Sequence, residues 1–186
     1  MANIILVAGT FHGGWYWEPI KSVLEVAGHR VFAPTLSGLD PELPVAGPIN
    51  LDTHINDVLL LIENNHLSQV VLVGWSYGGM VITGVADRTS AQVRKLVYLD
   101  GQLPMSGERE WDLMPDRDDW VKLCQDGIYF YPDEGLHNPE IKSPLERSYL
   151  LAKASAGWQT QSWPVGHDLV RESAVGVTEL LLAVSE

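Results

Sequence analysis

Four short apolar runs of aliphatic and aromatic residues punctuate the first hundred positions, Ile4 to Ala8, Val31 to Ala33, Val70 to Val73 and Leu96 to Leu99. They are continuous rather than alternating, which is the pattern of strands buried on both faces of a sheet. Between them the period changes. Pro19, Ile20, Val23, Leu24 and Ala27 recur at helical spacing and stop at Gly28, which predicts a helix over Trp15 to Ala27. Asp52 or Thr53 caps a second helix reaching about His66, with Ile55, Val58, Leu59 and Ile62 on its inner face. A third runs from Tyr77 to about Arg88, with Met80, Val81, Gly84 and Val85 inward. Alternating strand and helix predicts an α/β fold, a mostly parallel central sheet with helices on both faces.

From Ser37 to Asn50 the chain carries Gly38, Pro41, Pro44, Gly47 and Pro48, the composition of a surface loop. The rhythm breaks again after Asp100. The stretch to about Pro144 is rich in acids and aromatics, among them Trp111, Trp120, Tyr129, Phe130 and Tyr131, and reads as an insertion over the edge or top of the sheet, or as a solvated connector. Ser143 and Glu146 make a capping box around Pro144, which predicts a helix to Ala156. A strand over Trp158 to Trp163 and a last helix from Leu169 to Val184 complete the expectation.

One segment carries chemistry. Gly74-Trp75-Ser76-Tyr77-Gly78 follows a strand and opens a helix, so the serine sits on a sharp turn at the sheet's C-terminal edge, next to the positive end of a helix. A serine hydroxyl needs a base to become a nucleophile. Of the six histidines, His167 is best placed, on the loop that returns to that same edge before the last helix. His29, His54 and His66 lie in or beside helices and read as structural or solvated, while His137 falls in the insertion.

Composition narrows the field. With 186 residues, the chain reads as one domain, 1–186. A net charge of −12 argues against nucleic-acid and anionic-membrane partners. The single cysteine, Cys124, excludes an internal disulfide framework and a multi-cysteine metal cage. No ligand-spaced cluster suggests a metal, and Gly9, Gly13 and Gly14 do not have dinucleotide-binding spacing, so no cofactor is expected. With no apolar run long enough to cross a membrane and no basic leader, the default location is cytoplasmic.

Ala8-Gly9-Thr10-Phe11-His12-Gly13-Gly14-Trp15, Ala27-Gly28-His29, Gly74 to Gly79, Tyr98-Leu99-Asp100, Gly157-Trp158 and Gly166-His167-Asp168 together resemble the α/β-hydrolases, in the branch of plant methylesterases, hydroxynitrile lyases and their bacterial relatives. The resemblance implies a three-layer hydrolase fold with Ser76 as nucleophile, His167 as general base and acid, and the backbone N–H groups of Thr10 and Tyr77 as oxyanion hole. His12 also matches a family histidine and reads as a scaffold residue of that loop. The chain departs from the branch at Ala8, where many members have histidine, and in the short stretch from Asp100 to Trp158, which implies a reduced cap over 101–143 and an open pocket. It also departs in the triad acid: Lys153 to Gly157 offers no carboxylate where the family usually has one. Asp100 at the end of the fourth strand, a residue of the insertion, or no acid at all are the alternatives. Asp168 fits better as the N-cap of the last helix.

The expected activity is hydrolysis of a small carboxylic ester or lactone through an acyl-serine, by a monomer or homodimer. Phe11, Trp75 and Trp111 are the expected walls of an apolar substrate site, although aromatic residues serve equally as core filler. A ligand-binding pseudoenzyme is the alternative. A lyase ranks lower, because Gly9 and Asp168 stand where the lyases have threonine and lysine.

Overall fold

A computed structural model describes residues 1–40, 42, 43, 47–113, 124, 125, 128, 129 and 151–186. Strands β1 (Asn3–Val7), β2 (Arg30–Phe32), β3 (Val70–Ser76) and β4 (Val93–Gly101) form a parallel sheet in the order β2-β1-β3-β4. Helix α1 (Glu18–Val26), preceded by a 3₁₀ turn at Gly14–Trp17, joins β1 to β2. Helix α2 (Leu51–Asn64) leads into β3, and α3 (Gly78–Arg88) links β3 to β4. Short α4 (Glu110–Leu113), a two-stranded antiparallel ladder of β5 (Cys124–Gln125) with β6 (Ile128–Tyr129), α5 (Leu169–Glu172) and α6 (Ala174–Ser185) follow.

Pleating divides the apolar strands into two cores. Ile4, Leu6, Val71, Val73 and Trp75 face one way and pack with Tyr16, Trp17, Ile20 and Leu24 near α1, and with Val177 and Leu181 of α6. Ile5, Val7, Val70 and Leu72 face the other way, against Ile55, Val58 and Ile62 of α2 and Met80, Val81, Ile82 and Val85 of α3. Both layers are needed because the central strands β1 and β3 have no polar face to give to water. Each fully buried aliphatic side chain contributes about 1.5–3 kcal/mol.

This is the expected parallel sheet with helices on both faces, and three details differ from expectation. The cap of α2 is Asn50, whose side chain accepts from Thr53 N in a reciprocal capping box, rather than Asp52 or Thr53. The last helix is broken at Ser173, where the backbone leaves the helical region (φ −143°, ψ 46°) between α5 and α6. Residues 158–163 form no strand. There Trp163 packs onto the α6 side of the core and Trp158 tilts against Tyr98, with ring centroids 5.2 Å apart. The indoles hold the segment by side-chain contacts, so no hydrogen-bond ladder is required. Residues 151–154 are helical, whereas the start of the helix expected from Pro144 lies outside the described residues. So do His137, Trp120, Phe130, Tyr131 and most of the cap expected at 101–143. Among the described residues no helix is long and apolar enough to cross a membrane, and no group of three or more His, Cys, Asp or Glu could hold a metal ion.

Candidate active site

In this strand order the chain leaves β1 toward β2 and returns on its other side as β3. The C-terminal ends of β1 and β3 are therefore neighbours at the point where the winding reverses, the place where open α/β sheets form a crevice. Ser76 ends β3 at φ 54°, a left-handed conformation that costs a non-glycine residue about 1–3 kcal/mol. The turn is possible because glycines flank it. A Cβ on Gly74 would lie 2.5 Å from the Gly78 carbonyl oxygen. Gly9, at the end of β1, meets the elbow even more directly: a Cβ there would lie 2.8 Å from Ser76 Cβ and 2.9 Å from the Trp75 ring. Its absence lets the backbone after β1 pass close against the serine's turn, and Phe11 follows two residues later at φ 66°.

Ser76, His167 and Asp100 are brought together. The Ser76 hydroxyl donates to His167 Nε2 across 3.0 Å, and His167 Nδ1–H donates to Asp100 Oδ2 across 2.5 Å. Asp100 owes its aim to an irregularity in strand pairing. Trp75 pairs with Leu99 but Ser76 pairs with Gly101, so Asp100 is the extra residue of a β-bulge, at φ 43°. A bulge turns one side chain out of the pleat alternation, and here that side chain is the carboxylate. The side chains of His167 and Asp100 are 29% and 25% exposed, which leaves the pair partly shielded yet open to a ligand. Such a chain can take the serine proton as the oxygen attacks, while the carboxylate holds the imidazole in the tautomer that accepts it.

Thr10 lies in the loop after β1, and its carbonyl accepts from His12 Nδ1–H at 2.9 Å, so His12 serves as a prop of the loop. Tyr77 precedes α3, and its hydroxyl meets His54 Nδ1 at 2.8 Å. The Ser37 carbonyl can only accept, so His54 Nε2–H donates to it (3.0 Å), and Ser37 in turn donates from its N–H and hydroxyl to Asp57. His54 is thus a buried structural histidine that anchors the residue after Ser76. Phe11, in the loop after β1, is half-buried.

Trp75 corrects the expectation of a pocket wall. It is 2% exposed and its ring is stacked on Tyr16, so it has no surface to offer a substrate. Its indole N–H instead donates to the His167 carbonyl at 2.7 Å. The side chain of Trp111 lies outside the described residues. Asp168 does cap α5, accepting from Arg171 N, and also accepts from the Tyr16 hydroxyl at 2.5 Å. Spacing along the chain carried no signal for that last contact, because the two residues are 152 positions apart.

A sequence model of the alpha/beta hydrolase family matches residues 4–182. A carbendazim-hydrolyzing esterase of Nocardioides sp. (strain SG-4G) is 49% identical over 116 residues, 62% of this chain and 48% of that protein. An alpha-hydroxynitrile lyase of Arabidopsis thaliana is 39% identical over 108 residues, 55% of this chain and 40% of that protein. The chain thus spans about half the length, or less, of these two curated relatives. A solved pyrethroid hydrolase superposes with a TM-score of 0.75 over 98% of this chain and 96% of that one; at 19% identity this speaks for the fold alone. Sequence and architecture agree, and the chain belongs to the alpha/beta hydrolase family.

Proposed function

We propose that the chain is a serine hydrolase that cleaves small carboxylic esters. Ser76 Oγ attacks the ester carbonyl as His167 Nε2 takes its proton. The tetrahedral intermediate collapses as the imidazolium returns that proton to the leaving alcohol, and water activated by the same nitrogen releases the acid from acyl-Ser76. Asp100 orients the imidazole. The N–H groups of Thr10 and Tyr77 receive the oxyanion, and such donors are typically worth about 3 kcal/mol each. Phe11 borders the acyl group, and lactones fit the same chemistry. The observation that carries this reading is the continuous hydrogen-bonded path from Asp100 through His167 to Ser76. The esterase among the relatives supports it.

The test is turnover of p-nitrophenyl acetate and butyrate by the wild type beside Ser76→Ala. Release that the substitution abolishes supports a hydrolase. No release by the wild type, with ligand-dependent thermal stabilisation, supports a binding protein instead. The lyase reading has a relative in its favour; the resemblance to the hydroxynitrile-lyase branch ties that activity to a threonine and a lysine, and this chain has Gly9 and Asp168 at the matching positions.

A further inference from the structure

The loop carrying His167 is tied down at two consecutive residues by one pair of aromatic side chains. Trp75 Nε1–H donates to the His167 carbonyl at 2.7 Å, and the Tyr16 hydroxyl donates to Asp168 Oδ1 at 2.5 Å. The two donors are themselves locked together. Their rings are stacked with centroids 4.3 Å apart and planes 18° from parallel, and Tyr16 and Trp75 are 6% and 2% exposed. His12 meets both rings edge-on, at 4.9 Å and 5.1 Å, and bonds the Thr10 carbonyl. One aromatic slab therefore touches the backbone of the base-bearing loop and the backbone of the loop after β1.

We propose that Tyr16 is a positioning residue for His167: with Trp75 it braces the 167–168 peptide so that the imidazole meets Asp100 and Ser76 at once. The kinetic part of this inference rests on the hydrolase reading above; the geometric part does not. His167 follows an irregular stretch with no strand ladder to hold it, yet its ring must satisfy bonds of 2.5 Å and 3.0 Å on opposite nitrogens. Moving the peptide by about 1 Å takes such bonds beyond hydrogen-bond range, and misplacement on that scale can cost about 10²-fold in rate. Burial, followed by the hydrogen bond to Asp168 and its negative charge, holds the Tyr16 phenol well above its ordinary range, so it remains a donor. Phenylalanine at position 16 would keep the stacking and lose only the link.

The brace is tested with Tyr16→Phe, and with Trp75→Phe, which removes the donor to the His167 carbonyl and repeats the test should the first variant not fold. Folding is checked by circular dichroism. The His167 ring signals in spectra of 15N-histidine-labelled protein, assigned with His167→Ala, report the bonding of each ring nitrogen without any substrate. The expected result is that Nδ1 and Nε2 signals sharp in the wild type shift or broaden in the folded variants, with kcat lower by about tenfold and KM unchanged for both p-nitrophenyl esters. Wild-type ring signals in a folded variant, or a change in KM or melting temperature alone, would overturn the proposal. If the wild type hydrolyses neither ester, the hydrolase reading fails and the nitrogen signals alone decide the brace.

Discussion

Among single residues, the proposed chemistry separates groups that react from groups that aim them. Ser76→Ala should lower ester turnover by several orders of magnitude, since the proposed nucleophile has no substitute. Asp100→Asn should lower kcat by about 10³–10⁴-fold, the scale on which losing an orienting acid costs activity, and steady-state kinetics would show it. An unchanged rate would remove Asp100 from the mechanism. Ser76 was legible in the chain because its turn is local: two glycines, a preceding strand and a following helix define it within a few residues. Asp100 was legible only as a candidate. Its aim depends on a bulge that forms when β4 pairs with β3, and no pattern within β4 announces that register change. Trp75 was misjudged for a related reason, since an aromatic residue beside a reactive serine looks the same in sequence whether it faces substrate or core.

At the scale of elements, the site depends on how closely β1 and β3 end together. Gly9→Ala would set a methyl group 2.8 Å from Ser76 Cβ and force the Thr10 loop outward. The expected result is destabilisation of about 1–3 kcal/mol, read from denaturant unfolding, together with a fall in kcat as the loop is displaced. Main-chain positions were readable wherever periodicity dominated, as in β1, β3, α2 and α3. They were less readable where side chains rather than ladders hold the chain. Trp158 and Trp163 suggested a strand by composition but pack separately against Tyr98 and the α6 side. The helical spacing from Leu169 to Val184 runs on through Ser173, where the backbone does not follow it.

For the molecule as a whole, the two apolar layers set stability, and two buried phenols are expected to weaken it at alkaline pH. Burial raises the pKa of Tyr98, and burial with the Asp168 contact raises that of Tyr16. In the unfolded chain both ionise near pH 10. Above that pH the unfolded state holds fewer protons than the folded one, so stability is intact below about pH 10 and declines as pH rises. Melting curves between pH 8 and 11 should show this loss, and Tyr16→Phe should make it shallower. The family and the sheet were both readable in the sequence, because the motifs at positions 8–15 and 74–79 sit where the strand pattern ends. The Tyr16–Asp168 contact was not, because it forms only when the two ends of the chain pack together.

The acyl-serine proposed here can be trapped. Wild-type protein mixed briefly with p-nitrophenyl butyrate, quenched in acid and digested for mass spectrometry should carry one butyryl group, on the peptide containing Ser76. Ser76→Ala should carry none. Ester consumed with butyrate on another residue, or on no residue under conditions that preserve acyl-serines, would rule out Ser76 as the nucleophile.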